Sequence, residues 1–305
     1  MRPDSGAQDM QKVVAGILIA LILLPLAGAD ARAPDESRDA RGGHAILLEQ
    51  YTATWCDTCA SVDPWISEFA DDHEGRVVRV ALHPDDHDPF GSPLTTERIA
   101  LKQTEQQLSL PTFWFDGQGE MQGQVSQSLL ENGLRSAEVN REHWIEMHVW
   151  WDTWENQPHD DVQQLAIHIE EDLPENASIT VFRLESLEMT SEIAYNGIDV
   201  HHDVATQMIT FDQNGTVTDS FEGVHGWTMS NGNRVSSEGG IPVFILDTWG
   251  EVDGFVTIIE VNGEVRGVIG ISNEDVPRNP EIYSQAALFL LLSALVASGI
   301  IVRRR

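Results

Sequence analysis

The sequence of 305 residues predicts an α/β domain followed by an all-β, sandwich-like domain, framed by an N-terminal signal or anchor and a C-terminal transmembrane helix. Three observations carry this reading. From His44 onward, apolar runs of strand type alternate with segments whose apolar residues recur at helical spacing, the pattern of α/β layering. From about Arg141 the helical spacing gives way to short β-rich runs punctuated by turn signals, as in sandwiches. Each terminus carries a long apolar run. The expected divisions are 1–31 signal peptide or anchor, 32–43 linker, 44–140 α/β domain and 141–273 sandwich-like domain. A juxtamembrane spacer at 274–281, a transmembrane helix at 282–302 and a basic tail at 303–305 complete the chain.

The elements follow in order. Lys12 precedes "VVAGILIALILLPLAGADARA", with small residues at Ala29 and Ala31, the layout of a secretory signal. An uncleaved anchor is the alternative, since the run is nearly long enough to span a bilayer. "HAILLEQYTA" (His44 to Ala53) reads as a buried strand. Val62, Trp65, Ile66 and Phe69 then recur at helical spacing, with Gly75 as a stop. "RVVRVALH" is a second strand, and after the polar "PDDHDPFGSP" comes a helix in "LTTERIALKQTEQQL". "LPTFWFDGQGE" is a strand entering a Gly-containing hairpin turn, and "SQSLLENGLRSAEV" a closing helix.

The β-rich runs are "HWIEMHVWWDTW", "DVQQLAIHIEE", "SITVFRLESLEM", "TQMITFD", "GIPVFILD" and "FVTIIEVNGEVRGVIGI", with turn signals at Asn214-Gly215 and Asn262-Gly263. Trp144, Trp150, Trp151 and Trp154 alternate partly along one of them and are read as sandwich core. "IYSQAALFLLLSALVASGIIV" (Ile282 to Val302) is long enough to cross the hydrocarbon core, and Arg303, Arg304 and Arg305 should stay on the cytoplasmic side. Both ends place the body outside the cytoplasm. The formal charge of −31, with Lys12 and Lys102 as the only lysines, repels phosphate backbones and argues against nucleic-acid binding.

The two cysteines stand three apart in "ATWCDTCASVDPW". A structural zinc site wants four ligands, and the sequence offers one pair, with "HPDDHD" and "HHD" available only through folding. Both histidine motifs read as solvated loops. A staple closing so short a loop constrains the unfolded chain least. The redox reading makes positive demands that are met. Cys56 sits between a strand and a helix, where a helix start stabilises the nucleophilic thiolate. Cys59, one turn later, can resolve a mixed disulfide.

On these residues the chain resembles the thioredoxin superfamily. Trp55-Cys56-x-x-Cys59 is followed by Pro64, and "LPTFWFDGQGE" is similar to the strand and hairpin carrying that family's cis-proline. The resemblance covers about residues 44–138. It implies that Pro111 is cis, that Leu110 and Thr112 flank it in a substrate groove, and that Trp55 supports the motif. Three departures stand out. The intervening pair is Asp57-Thr58; Gln50 occupies the place of the family's buried acid; and Glu49, beside it, faces the other way by strand alternation. Asp57 disfavours the thiolate of Cys56 and so favours the disulfide form. The expected function is a membrane-anchored, extracytoplasmic thiol–disulfide oxidoreductase of reductase or isomerase type. Its partners would be protein thiols and disulfides and an unidentified redox donor protein, with no cofactor and no metal. The alternatives are a non-enzymatic surface binding or assembly module, and a metal-handling protein using the same cysteines.

Overall fold

The computed structural model describes residues 33–273, apart from 86, 103–107, 157–158, 190–194, 222, 224 and 237–238. By internal contacts the chain divides into Met1–Asp35 and Glu36–Arg305, and the fold described here is that of the second unit.

Fourteen strands are present among the described residues: β1 Glu36–Gly42, β2 Ile46–Tyr51, β3 Val77–Leu82, β4 Thr112–Phe115, β5 Gln118–Gln122, β6 Met147–Trp154 and β7 Val162–Ile169. They continue as β8 Ala177–Glu188, β9 Val200–Asp212, β10 Val217–Phe221, β11 Thr228–Ser236, β12 Gly239–Trp249, β13 Gly254–Val261 and β14 Glu264–Ser272. Four helices of the described residues lie among them: α1 Asp57–Ala60, α2 Asp63–Asp72, α3 Pro93–Lys102 and α4 Gln127–Asn140. The strands form a five-stranded sheet, β1-β6-β7-β12-β11, and a nine-stranded sheet, in which β14-β13-β8-β9-β3-β2-β4-β5 follow in order and β10 is the ninth strand, paired with β9.

β2 and β3 are parallel and joined over α1 and α2, since parallel neighbours need a crossover. β4 returns antiparallel on the other side of β2 and turns into β5 through Asp116 and Gly117. Both of these have positive φ, 52° and 72°, the conformation that an Asp-Gly hairpin turn supplies cheaply. Asn262 and Gly263, at 56° and 77°, do the same between β13 and β14.

Strand alternation sorts β2 onto two faces. Ile46 and Leu48 pack with Ile66 and Phe69 of α2 and Leu130 and Leu134 of α4. Leu47 points the other way, with Val80, Trp114, Phe182, Ile258 and Ile99 of α3. A third core fills the space between the sheets: Val149, Trp151, Leu165 and Ile167 meet Ile179, Val181, Phe211, Phe255 and Ile259.

The fold differs from the sequence expectation. Half of the described residues are strand and 17% are helix, so the fold class is β-rich, in two sheets. The elements expected over 44–140 are present in order, but their sheet does not stop there. Ala81 of β3 pairs in parallel with Val204 of β9, which carries β8, β13 and β14 into the same sheet. An open edge strand is a template for another strand, and here β9 takes that edge. The expected fold class, α/β followed by a sandwich, is therefore replaced by two β-sheets with helices on part of one.

Residues 36–42, expected within a linker, are β1, paired antiparallel with β6. The expected transmembrane helix and basic tail lie outside the described residues, as does the signal or anchor. Among the described residues no helix is long and apolar enough to cross a membrane. The expectation of a single-pass membrane protein therefore draws no support from the described residues.

Candidate functional site

The cysteine motif lies between the end of β2 and the paired helices. Cys56 caps α1, and its Sγ accepts a hydrogen bond from the Cys59 N–H at 3.0 Å. Cys56 and Cys59 are joined as a disulfide, with Cα atoms 5.2 Å apart. Ala53 packs with the pair and Leu110 covers it from outside. Cys59 is fully buried and Cys56 nearly so, whereas Trp55 is 44% exposed. The Leu110–Pro111 peptide bond is cis. Thr112 is buried at the start of β4 opposite Tyr51, and its hydroxyl donates to the Ser109 carbonyl. Asp57 is exposed on the first turn of α1. A second segment meets the motif: Asn196 donates from its backbone to the Thr54 carbonyl at 3.0 Å and from its side chain to the Ala53 carbonyl at 3.3 Å. Its neighbour Tyr195 is 73% exposed.

Behind the disulfide lies a buried polar network. Gln50 donates its amide to Asp63, and Thr52 donates its hydroxyl to the same carboxylate at 2.7 Å. Arg79 donates to the Gln50 carbonyl oxygen at 3.0 and 2.8 Å and to Asp203 at 2.8 Å. Burial pushes the Asp63 carboxyl above its ordinary value, and the nearby Arg79 only partly offsets this.

Glu49 faces away from this network. It is fully buried between Arg98 and Lys102, with Lys102 Nζ at 2.7 Å. Burial opposes its charge, yet the two cations outweigh burial and hold the carboxyl below its usual range. Glu49 and Gln50 thus serve opposite faces of β2, and the buried acid near the cysteines is Asp63. Sequence reasoning missed it, although the signal was there. Asp63 lies on the stripe of Cys59, Val62, Ile66 and Phe69, where an acid interrupts an otherwise apolar face.

A third cluster connects to the motif through Asp88, whose carboxylate accepts the Thr54 N–H at 2.7 Å and the Phe90 N–H at 3.0 Å. His83 Nδ1 lies 3.1 Å from Asp88. Burial opposes the charge of Asp88, but His83 and the backbone donors hold its pKa low. His201 packs against His83 and Phe90. Burial, with His83 nearby, drives the pKa of His201 down to about 4. The reading of "HPDDHD" and "HHD" as solvated loops is corrected here, because His83 and His201 are almost wholly buried. Among the described residues no group of three or more His, Cys, Asp or Glu could hold a metal ion. Of the tryptophans, Trp151 is core, Trp150 stacks on His148 with Arg234 over its ring, and Trp144 is half exposed.

No protein-family model matches the chain, and no curated protein matches it. Solved structures similar to the chain include the following two. HBP35 of Porphyromonas gingivalis shares 13% identity, over 76% of this chain and 76% of its own, with a TM-score of 0.52. A crystal structure of a protein from Agrobacterium tumefaciens shares 10% identity, over 78% of this chain and 98% of its own, with a TM-score of 0.45. The first likeness is one of fold. It corrects the resemblance drawn from the Trp-Cys motif: the chain as a whole has a β-rich, HBP35-like fold, not a thioredoxin-like α/β one. The oxidoreductase assignment built on that resemblance falls with it.

Proposed function

We propose that this chain is a non-enzymatic binding module whose β-rich scaffold presents an aromatic rim to a partner polypeptide. One observation carries the reading. At the cysteine motif the sulfurs are enclosed, while the aromatic groups turned outward are Trp55 and, on the segment tied to Ala53 and Thr54 by Asn196, Tyr195. Tryptophan and tyrosine offer large amphipathic surface at small entropic cost, and they dominate the energetics of protein interfaces. The disulfide then works as a rigid floor under that rim. The acidity of the chain, 49 acidic against 18 basic side chains, favours a partner of positive charge through long-range steering.

The test uses reduced, carboxamidomethylated lysozyme as an unfolded, basic and thiol-free probe. Trp55→Ala and Tyr195→Ala should each weaken binding by about tenfold, which corresponds to about 1.4 kcal/mol, and Cys56→Ser should leave it within about twofold. Binding indifferent to both aromatics would refute the rim. Turnover of insulin disulfides in dithiothreitol, lost in Cys56→Ser, would overturn the non-enzymatic reading in favour of exchange at the cysteines.

A further inference from the structure

The two histidine motifs are far apart in sequence, and neither contains a ligand set of its own. Folding joins one residue from each. His83 follows directly on β3, and His201 is the second residue of β9. Parallel pairing of those strands at Ala81 and Val204 sets the imidazole rings edge to face, 5.5 Å between centroids. Phe90 closes the third side, 5.5 Å from His83 and 5.4 Å from His201.

Both side chains are more than nine-tenths buried, 1% and 4% exposed, yet the Nε2 atom of each has no hydrogen-bond partner. Both residues line a cavity of about 1160 Å³ that runs along α2 and the ends of β8, β9, β13 and β14. Buried polar nitrogens are normally satisfied. Two buried ring nitrogens without partners, on residues that line one cavity, call for a species that accepts their lone pairs.

We propose that His83 and His201 form a two-imidazole site for a monovalent copper ion. The donor set decides the class of ion. Magnesium and calcium want oxygen ligands, and structural zinc wants four donors, a number not grouped here among the described residues. Imidazole is a good ligand for copper, and the monovalent ion accepts two donors in linear coordination where zinc takes four. A single positive charge also costs less to place among buried rings than a double one. Asp88, 3.1 Å from His83 Nδ1, stands where an outer-shell carboxylate orients a ligating histidine and supplies the opposing charge. The site is separate from the cysteines, so it stands or falls independently of the rim.

The test keeps the disulfide intact. Full-length oxidised protein is titrated with copper held monovalent by ascorbate, against a chromophoric copper(I) chelator. One equivalent should bind. His201→Phe and His83→Phe should each lower the affinity at least a hundredfold, and Cys56→Ser combined with Cys59→Ser should leave it within threefold. Asp88→Asn keeps both imidazoles and should weaken binding about tenfold. His201→Gln serves if a ring replacement disturbs folding, and X-ray absorption should report nitrogen and no sulfur around the bound ion. Failure of the wild type to take up copper, retention by His201→Gln, or loss in the cysteine double variant would each overturn the assignment.

Discussion

Over β8, β9 and β13 the nine-stranded sheet buries Ile179, Val181, Phe211, Phe255 and Ile259 against the second sheet. Over β2 and β3 the same sheet buries Glu49, Gln50 and Arg79 beneath helices. The first region is held by shape and transfer from water, which act without direction. In the second, each buried charge is tolerable only while its partner is present. Arg183 of β8 is the exception in the first region, and it follows the rule of the second: Glu185 lies 2.8 Å from its Nε, and the Trp249 carbonyl accepts from Nη1 at 2.6 Å. The contrast teaches that one continuous sheet can combine a core that degrades gradually with one that fails in single steps.

Breaking the charged region should have the largest effect. Glu49→Gln leaves Arg98 and Lys102 without their buried carboxylate, and stability should fall by about 3–5 kcal/mol in urea titrations. Replacing all three together, Glu49→Leu with Arg98→Leu and Lys102→Met, should recover part of that loss, because a packed apolar trio carries no desolvation penalty, whereas Glu260, which also pairs with Arg98, loses its partner. If the triple variant is as unstable as the single one, partner loss is the wrong explanation. In the apolar region Ile259→Val should cost only about 0.5–1.5 kcal/mol. A loss as large as that of Glu49→Gln would erase the contrast.

The apolar region was also the more legible. The runs that became β6, β7, β8, β12, β13 and β14 could be read directly, as could the turns at Asp116-Gly117 and Asn262-Gly263, because alternation and turn chemistry are local. β1, β10 and β11 could not. "ESRDARG", "VTDSF" and "TMSNGNRVS" are polar, and they are strands only because β6, β9 and β12 offer edges for them. Which strands share a sheet was hidden for the same reason: the β3–β9 pairing rests on a single register pair. At the site, Trp55, Cys56 and Cys59 stood out by spacing. The Asp63–Gln50–Arg79 and His83–His201 clusters did not, since the first meets only once β2 and β3 have paired and the second only once β3 and β9 have.

Acid sharpens the comparison further, with a smaller effect. The pKa of His201 is lowered from 6.5 to about 4 in the fold, so the unfolded chain binds the extra proton first. Its contribution therefore favours folding above pH 6.5 and is lost progressively as pH falls toward 4. His201→Phe, which keeps a ring against His83 and Phe90, should remove that portion of the decline. Urea midpoints measured from pH 7 to pH 4.5 should drop more for the wild type than for the variant. Parallel curves would mean that the ring titrates as it would in water.

Asp63 carries the opposite sign and the smallest expected change. Its carboxyl is raised by burial, so the folded state holds the proton longer than the unfolded one, and this group's contribution falls as pH rises above the ordinary carboxylate value. Asp63→Asn removes the titration but retains an oxygen to accept from Thr52. Stability of the variant relative to wild type should therefore climb between pH 4 and pH 7. The amide cannot accept from both Gln50 and Thr52 through two oxygens, so the absolute gain is held to less than about 1 kcal/mol by one lost hydrogen bond. A difference that stays constant across this range would show that Arg79 fully compensates the buried charge, and that the network behind the disulfide is as self-sufficient as the apolar seam beside it.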